Sequence, residues 1–285
     1  MQSVKFTAFR LVFLNLLVCA LFAGTAFAAM SDSEFIDLCE RSSSEALFPG
    51  TMQQIIDAIN NGANVNARDE NGVTPLMIVV RAIVEFDPKI EEVINALVKA
   101  GADINAKSRT GMTVAMFAVI SNSHPEVMKI LIKSGVKADE KYPETGVTLL
   151  MLAARSNIHP EVPELIKTLV KSGADVNAKD KDGWTPLIYA ARSLSDFCLE
   201  KVTTLLSLKA DVHAKDKSGK TAIDHAREKE DLENTDVVRI LEEAALKQKE
   251  QGRQSIFSGH GMLIVGGLLV FAIALLFITM KHSRK

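Results

Sequence analysis

In this 285-residue chain, the side chains with the clearest functional chemistry are of the types that bind other proteins. Arg81, Arg155 and Arg192 recur at corresponding places along the sequence, and Trp184 is the single tryptophan. Arginine and tryptophan are enriched among the residues that contribute most to the binding energy of protein interfaces. The alternative is that the arginines pair with neighbouring acidic residues on the surface, for little net energy.

Motifs of the common catalytic sites are absent from the sequence. It contains no phosphate-binding glycine loop and no G-x-S-x-G, Cys-x-x-Cys or H-E-x-x-H motif. The six histidines are not spaced as metal ligands. We therefore predict that the chain is not an enzyme and that it has no catalytic residues, metal site or cofactor.

The elements that position the binding residues come from an internal repeat. Five glycines, each at the end of a polar turn, are followed two residues later by threonine: Gly72, Gly111, Gly146, Gly183 and Gly219. Their spacings are 39, 35, 37 and 36 residues. A period of this length with small variations is typical of stacked repeats that differ in one internal loop.

Each repeat is predicted to contain two helices. Thr185-Pro186 is a helix start, because the hydroxyl can cap free backbone amides and proline is tolerated in the first turn. The second helix is amphipathic and ends at Ser172-Gly173, where glycine favours a helix C-cap. Its apolar face comprises Leu165, Ile166, Leu169 and Val170.

This pattern resembles the ankyrin repeat family, whose unit of about 33 residues carries a Thr-Pro-Leu-His type motif. The copies here are Thr74-Pro75-Leu76-Met77 and Thr185-Pro186-Leu187-Ile188, joined by segments such as GANVNARDENG (62–72) and GADVNAKDKDG (173–183). The resemblance covers about residues 30–246. It implies an all-α solenoid of about six helix-turn-helix units, to which we add one C-terminal transmembrane helix.

The resemblance also implies where a partner binds. In the family the usual contacts come from the turn tips and the first helix of each repeat, which line a concave face. Mapped onto this sequence, these positions give a predicted partner-binding set: Val73, Arg81, Met112, Val147, Arg155, Lys181, Asp182, Trp184 and Arg192. Val73, Met112 and Val147 can equally be interpreted as residues that only cover their turns.

The two ends of the chain predict targeting to a membrane. Residues 1–28 have the basic, apolar and small-residue regions of a secretory signal peptide, with an uncleaved anchor as the alternative. Residues 247–260 are polar and are interpreted as a linker or an extension of the last helix. Residues 261–280 form an uncharged apolar run long enough to span a bilayer, and 281–285 form a basic tail that favours the cytoplasmic side.

These segments predict a single-pass protein of the cell membrane with its repeats (30–246) on the periplasmic or extracellular side. The part between the two end segments has 35 acidic and 28 basic residues, a net charge of about −7. A nucleic-acid-binding surface is typically basic, so this class of partner is disfavoured. The charge favours solubility.

The sequence therefore predicts a membrane-tethered protein that binds a protein partner. One alternative is an envelope small-ligand sensor or enzyme that uses the concave groove, whose mark would be clustered titratable residues in a pocket. Another is that the tail is a sorting signal cut near Ser258-Gly259.

Overall fold

The computed structural model describes residues 30–44, 49–82, 88–121, 124–156, 160–193, 197–228 and 236–253. The described residues are helical apart from turns and one isolated antiparallel bridge between Lys141 and Thr148. They divide into two compact units between Lys137 and Ala138. Each unit is an array of paired helices, as the repeat predicted.

The described part of the first unit contains six helices in two layers. Helices α1, α3 and α5 pack side by side in one layer, and α2, α4 and α6 pack in the other. Their bounds are Asp32–Ser44 (α1), Pro49–Asn60 (α2), Pro75–Arg81 (α3), Pro88–Lys99 (α4), Val114–Ser121 (α5) and Pro125–Lys133 (α6).

The second unit repeats this arrangement. Helices α7, α9 and α11 form one layer, with α8 and α10 behind them. Their bounds are Leu149–Arg155 (α7), Val162–Lys171 (α8), Pro186–Arg192 (α9), Cys198–Ser207 (α10) and Ala222–Arg227 (α11). A further helix, α12, covers residues 236–253.

The first helix of each repeat begins where threonine was expected to cap it. The hydroxyl oxygen of Thr74 accepts from the Met77 N–H, and that of Thr185 accepts from the Ile188 N–H at 3.3 Å. Thr221 caps α11 in the same way. Of the predicted apolar face of the second-layer helix α8, Leu165, Ile166 and Leu169 are completely buried and Val170 is half-buried.

Backbone hydrogen bonds tie the tips of successive turns together. In the first unit the Arg109 N–H donates to the Asn71 carbonyl at 2.8 Å. In the second, the Lys181 N–H donates to Thr145 at 2.8 Å and the Lys217 N–H to Asp182 at 2.9 Å. Each tip therefore sets the position of the next within its unit.

The last helix continues beyond the predicted end of the repeats. Residues 247–253, interpreted from the sequence as part of a linker or an extension of the last helix, are helical. The amide of Gln248 donates to the Ala210 carbonyl at 2.7 Å and accepts from the Val212 N–H at 3.2 Å. This side chain satisfies the backbone of the last turn segment, a role that apolar periodicity does not reveal.

Among the described residues, no helix is both long enough and apolar enough to cross a membrane. The predicted signal peptide (1–28), the transmembrane helix (261–280) and the basic tail (281–285) lie outside the described residues.

Candidate functional site

The turn before α9 is organised by one carboxylate. Oδ1 of Asp180 accepts the backbone N–H groups of Asp182 at 2.9 Å and Trp184 at 2.8 Å, and Oδ2 accepts the hydroxyl of Tyr189 at 2.8 Å. Asp180 therefore joins the turn to the helix that follows it. This fixes the backbone of Trp184 against the start of α9.

The next repeat uses the same arrangement. Oδ1 of Asp216 accepts the N–H groups of Ser218 at 2.8 Å and Lys220 at 3.0 Å, and its Oδ2 lies 2.7 Å from Nε2 of His225. Burial by itself would raise the pKa of Asp216, but the hydrogen bonds from Ser218, His225 and the Lys220 backbone outweigh it and hold the pKa well below its usual value. Asp216 is thus an anion held inside the protein.

The ring of Trp184 lies between these two repeats. Its centroid is 5.2 Å from that of Tyr189 in an edge-on arrangement and 4.8 Å from that of His225. The guanidinium carbon of Arg192 lies 5.2 Å from the Trp184 ring centroid, within range of a cation–π interaction. Trp184 remains partly exposed. It is therefore an ordered aromatic group at the surface and not a core residue.

Arg155 extends this surface into the preceding repeat. Arg155 is exposed at the end of α7, which packs against α9. Burial and the hydrogen bond to Asp180 raise the pKa of Tyr189, whereas the charge of Arg155 acts on Tyr189 in the opposite direction. The Ser156 carbonyl and Ser193 Oγ lie 2.9 Å and 2.7 Å from Lys201 Nζ, so the ends of α7 and α9 that carry Arg155 and Arg192 are adjacent. We call the surface formed by Arg155, Trp184 and Arg192 the Trp184 surface.

The second unit thus brings together Arg155, Trp184 and Arg192, which were predicted from the first two of its described repeats. Lys181 and Asp182 are exposed at the turn tip next to Trp184. Val147, predicted as a contact residue, is half-buried at the base of its turn.

The three predicted residues of the first unit differ in how much of their surface is exposed. Val73 is only 4% exposed, so it covers its turn and offers almost no surface to a partner. Met112 is half-buried, and Arg81 is exposed at the end of α3.

Four residues that support Trp184 were not in the predicted set: Asp180, Tyr189, Asp216 and His225. A signal for them exists in the sequence. Asp180 and Asp216 both stand five residues before a capping threonine, and Tyr189 and His225 both stand four residues after it. Because the pairing joins a turn to a helix, single-residue properties do not reveal it.

A buried lysine holds the helices that carry the arginines. Lys201 of α10 is completely buried, and its Nζ donates to Ser193 Oγ at 2.7 Å and to the Ser156 carbonyl at 2.9 Å. Ser193 and Ser156 directly follow Arg192 and Arg155. A cation near helix C-termini is favourable because the carbonyl ends carry partial negative charge.

Over the described ranges, no group of three or more His, Cys, Asp and Glu side chains could hold a metal ion. The arrangement at Trp184 offers flat stacking groups and exposed charges. It is suited to recognition of another surface.

Comparison with known proteins decides the family. A family model described as ankyrin repeats (3 copies) matches residues 84–180 and 158–251, which together make up more than half of the chain. The chain belongs to the ankyrin-repeat family. A comparison with curated proteins found no match.

Solved ankyrin-repeat and related structures share the fold. A chain in the structure of the predatory endopeptidase Bd0816 from Bdellovibrio bacteriovorus in complex with immunity protein Bd3460 is 26% identical, with a TM-score of 0.56, and the match covers 72% of this chain and 96% of that one. The ankyrin repeat protein EF0377 is 23% identical, with a TM-score of 0.57 and coverage of 73% and 95%. The ankyrin repeat domain of Bcl-3, a member of the IkappaB family, is 22% identical, with a TM-score of 0.52 and coverage of 66% and 77%.

Proposed function

We propose that this ankyrin-repeat protein is exported, tethered to the cell membrane by its C-terminal segment, and binds a protein partner through the Trp184 surface. No catalysis is needed for this function. The repeats act as a rigid support that presents a binding surface to a partner outside the cytoplasm.

The observation that carries the binding function is the packing of Trp184. Its ring is held by Tyr189, His225 and Arg192, yet it stays partly exposed. A large aromatic group that is already ordered loses little conformational entropy on binding, and this favours affinity. Such a residue next to arginines is typical of the centre of a protein interface.

The likeness to a chain in an endopeptidase and immunity protein complex supports a protein partner. It also makes an endopeptidase the first class of partner to test. The sequence patterns of residues 1–28 and 261–285 support export and tethering.

Photocrosslinking tests the binding site directly. A photoreactive amino acid at position 184 of the full-length protein in native membranes is expected to form a discrete adduct. A matched probe at Thr203, exposed on α10 in the second layer, is expected to form no such adduct. Equal labelling from both positions, or none from position 184, would contradict the proposed site.

Thiol labelling tests the topology. Lys217 is exposed at a turn tip, Cys39 and Cys198 are buried, and the third cysteine, Cys19, lies in the predicted signal peptide. Lys217→Cys therefore adds an accessible thiol, and the protein without this substitution measures the background. A membrane-impermeant maleimide is expected to label it in cells whose outer barrier has been opened but whose cytoplasmic membrane is intact. Labelling only after that membrane is lysed would place the repeats inside and overturn the proposal.

A further inference from the structure

We propose that the partner segment that binds the Trp184 surface carries an aspartate or glutamate side chain next to an apolar side chain. This inference rests on the proposed function and names the chemistry that the partner must supply. The carboxylate would bind Arg155 and Arg192, and the apolar side chain would pack on the exposed part of Trp184.

The first step is that neither arginine is neutralised within the described part of the unit. Arg155 and Arg192 are both exposed, and neither forms an ion pair with any described residue. Arg192 lies over the Trp184 ring, and its guanidinium N–H donors have no hydrogen-bond partner among the described residues. These donors match the geometry of a carboxylate, which can accept two parallel hydrogen bonds.

The second step is that the two carboxylates that hold Trp184 and its supporting side chains are already engaged. Asp180 accepts hydrogen bonds from Asp182, Trp184 and Tyr189 through both of its oxygens. Asp216 is buried and bonded to Ser218, Lys220 and His225. These two anions hold the turns in place.

The third carboxylate near the surface also has a partner. Glu228 pairs with Lys220, and the two occupy the positions in their repeat that Arg192 and Trp184 occupy in theirs. In the last described repeat, the residues at these two positions therefore neutralise each other in an ion pair. The repeat before it leaves a cation stacked on an aromatic ring and available to a carboxylate from outside.

Asp182 provides an internal check on the sign of the partner's charge. It is exposed at the turn tip, and its backbone N–H binds the same Asp180 oxygen as the backbone N–H of Trp184. An acidic partner would be repelled by this carboxylate, whereas a basic partner would be attracted. The effect of removing its charge therefore has opposite signs for the two kinds of partner.

The test uses the adduct formed at position 184 of the full-length protein in native membranes. Mass spectrometry of the digested adduct is expected to place the crosslink within about three residues of an Asp or Glu in the partner. Replacing that acid by its amide is expected to lower the adduct yield at least about fivefold. A crosslinked segment without an acid, or an amide variant with unchanged yield, overturns the inference and leaves the proposed function intact.

Variants of this chain supply the second arm. Arg155→Glu with Arg192→Glu is expected to lower the yield at least about fivefold, and replacing the partner's acid by arginine is expected to restore it, a rescue that a merely unfolded variant cannot show. Arg192→Lys, which keeps the charge but loses the pair of parallel donors, is expected to give a yield between that of the wild type and that of the double Glu variant. Asp182→Asn is expected to raise it about twofold, and a decrease would indicate a basic partner and overturn the inference.

Two controls separate the remaining outcomes. Lys171→Met, which removes an exposed cation of α8 in the second layer, is expected to leave the yield unchanged. Inorganic phosphate at about 10 mM is expected to have no effect on the yield. Strong competition by phosphate would indicate a phosphate-bearing partner such as a lipid or nucleic acid and overturn the inference, whereas the lack of any adduct at position 184 would overturn the proposed function itself.

Discussion

Arg192 lies over the ring of Trp184, with the guanidinium carbon 5.2 Å from the ring centroid. The two residues lie at opposite ends of one helix: Trp184 comes just before the capping Thr185, and Arg192 is the last residue of α9. In the next repeat the same positions are occupied by Lys220 and Glu228, which form an ion pair. The same two repeat positions thus interact through a cation and an aromatic ring in one repeat, and through opposite charges in the next.

This stacking predicts a small and specific effect on stability. Arg192→Met is expected to lower the free energy of unfolding by about 0.5–1 kcal/mol, the usual size of an exposed cation–π interaction. Arg155→Met is the matched control, because Arg155 forms no ion pair or ring contact with a described residue, and it is expected to change stability by less than about 0.5 kcal/mol. Urea unfolding of the two variants, followed by circular dichroism, measures the difference. Equal losses would show that the stacking contributes nothing.

Two glycines with the same backbone conformation allow a test of close packing between turns. Gly183 and Gly219 both have φ of 81°, but a Cβ at Gly183 would lie 3.1 Å from the backbone of Asp216 and Lys217, whereas one at Gly219 would meet nothing within 4 Å. Gly219→Ala is expected to cost about 1 kcal/mol through backbone strain alone. Gly183→Ala is expected to cost at least about 1 kcal/mol more, because the adjacent turn must move. Thermal unfolding of both variants checks this, and equal losses would contradict the contact.

A lysine occupies a position that favours glycine. Lys209 has φ of 72°, whereas the corresponding turns use Gly62, Gly101, Gly135 and Gly173. Lys209→Gly is expected to stabilise the protein by about 0.5–1 kcal/mol, since the relief of left-handed strain exceeds the entropy that glycine adds to the unfolded chain. Lys209→Ala keeps the strain and is expected to give no gain. The midpoints of urea unfolding distinguish these results, and a gain in both variants would assign the effect to the side chain.

Removal of the buried lysine is expected to destabilise the second unit. Lys201→Met keeps the length of the side chain but leaves Ser193 and the Ser156 carbonyl without its hydrogen bonds, at a cost of about 2–4 kcal/mol. Lys167→Met is the control, because the pair of Lys167 with Glu164 is exposed and contributes little. Hydrogen exchange followed by mass spectrometry is expected to show faster exchange in α7 and α9 of the Lys201 variant. Unchanged exchange there would mean that Lys201 does not hold these helices.

The ionisation of Asp216 predicts how stability changes with pH. The pKa of Asp216 in the folded protein lies below its ordinary value of 3.8, so the stabilisation is complete above about pH 4 and is lost as the pH falls further. Asp216→Asn is expected to lose about 1–3 kcal/mol at pH 7, and the difference from the wild type is expected to shrink toward pH 3. Asp139→Asn, at an exposed position, is expected to follow the wild-type curve. A difference that stays constant between pH 7 and pH 3 would argue against an ionised Asp216.

The sequence by itself determined the repeat, the paired helices and the places where the helices start. These features depend on interactions between residues close in the chain, such as the caps of Thr74 and Thr185 and the apolar face of α8. Such interactions leave a periodic signal. The sequence also singled out Trp184 and Arg192, because their residue types are common in interfaces.

Only the tertiary structure decided which residues hold the Trp184 surface together. The ring contact of Trp184 with His225 and the bonds from Lys201 to Ser156 and Ser193 join residues that are distant in the chain. Lys201 would be expected to face solvent, since a charged side chain is rarely buried unless its partners are provided by other elements. Gln248 is a similar case, because its amide is used only once α12 has packed against the last turn. The stacking of repeats creates these partners, and a pattern within one repeat carries no record of them.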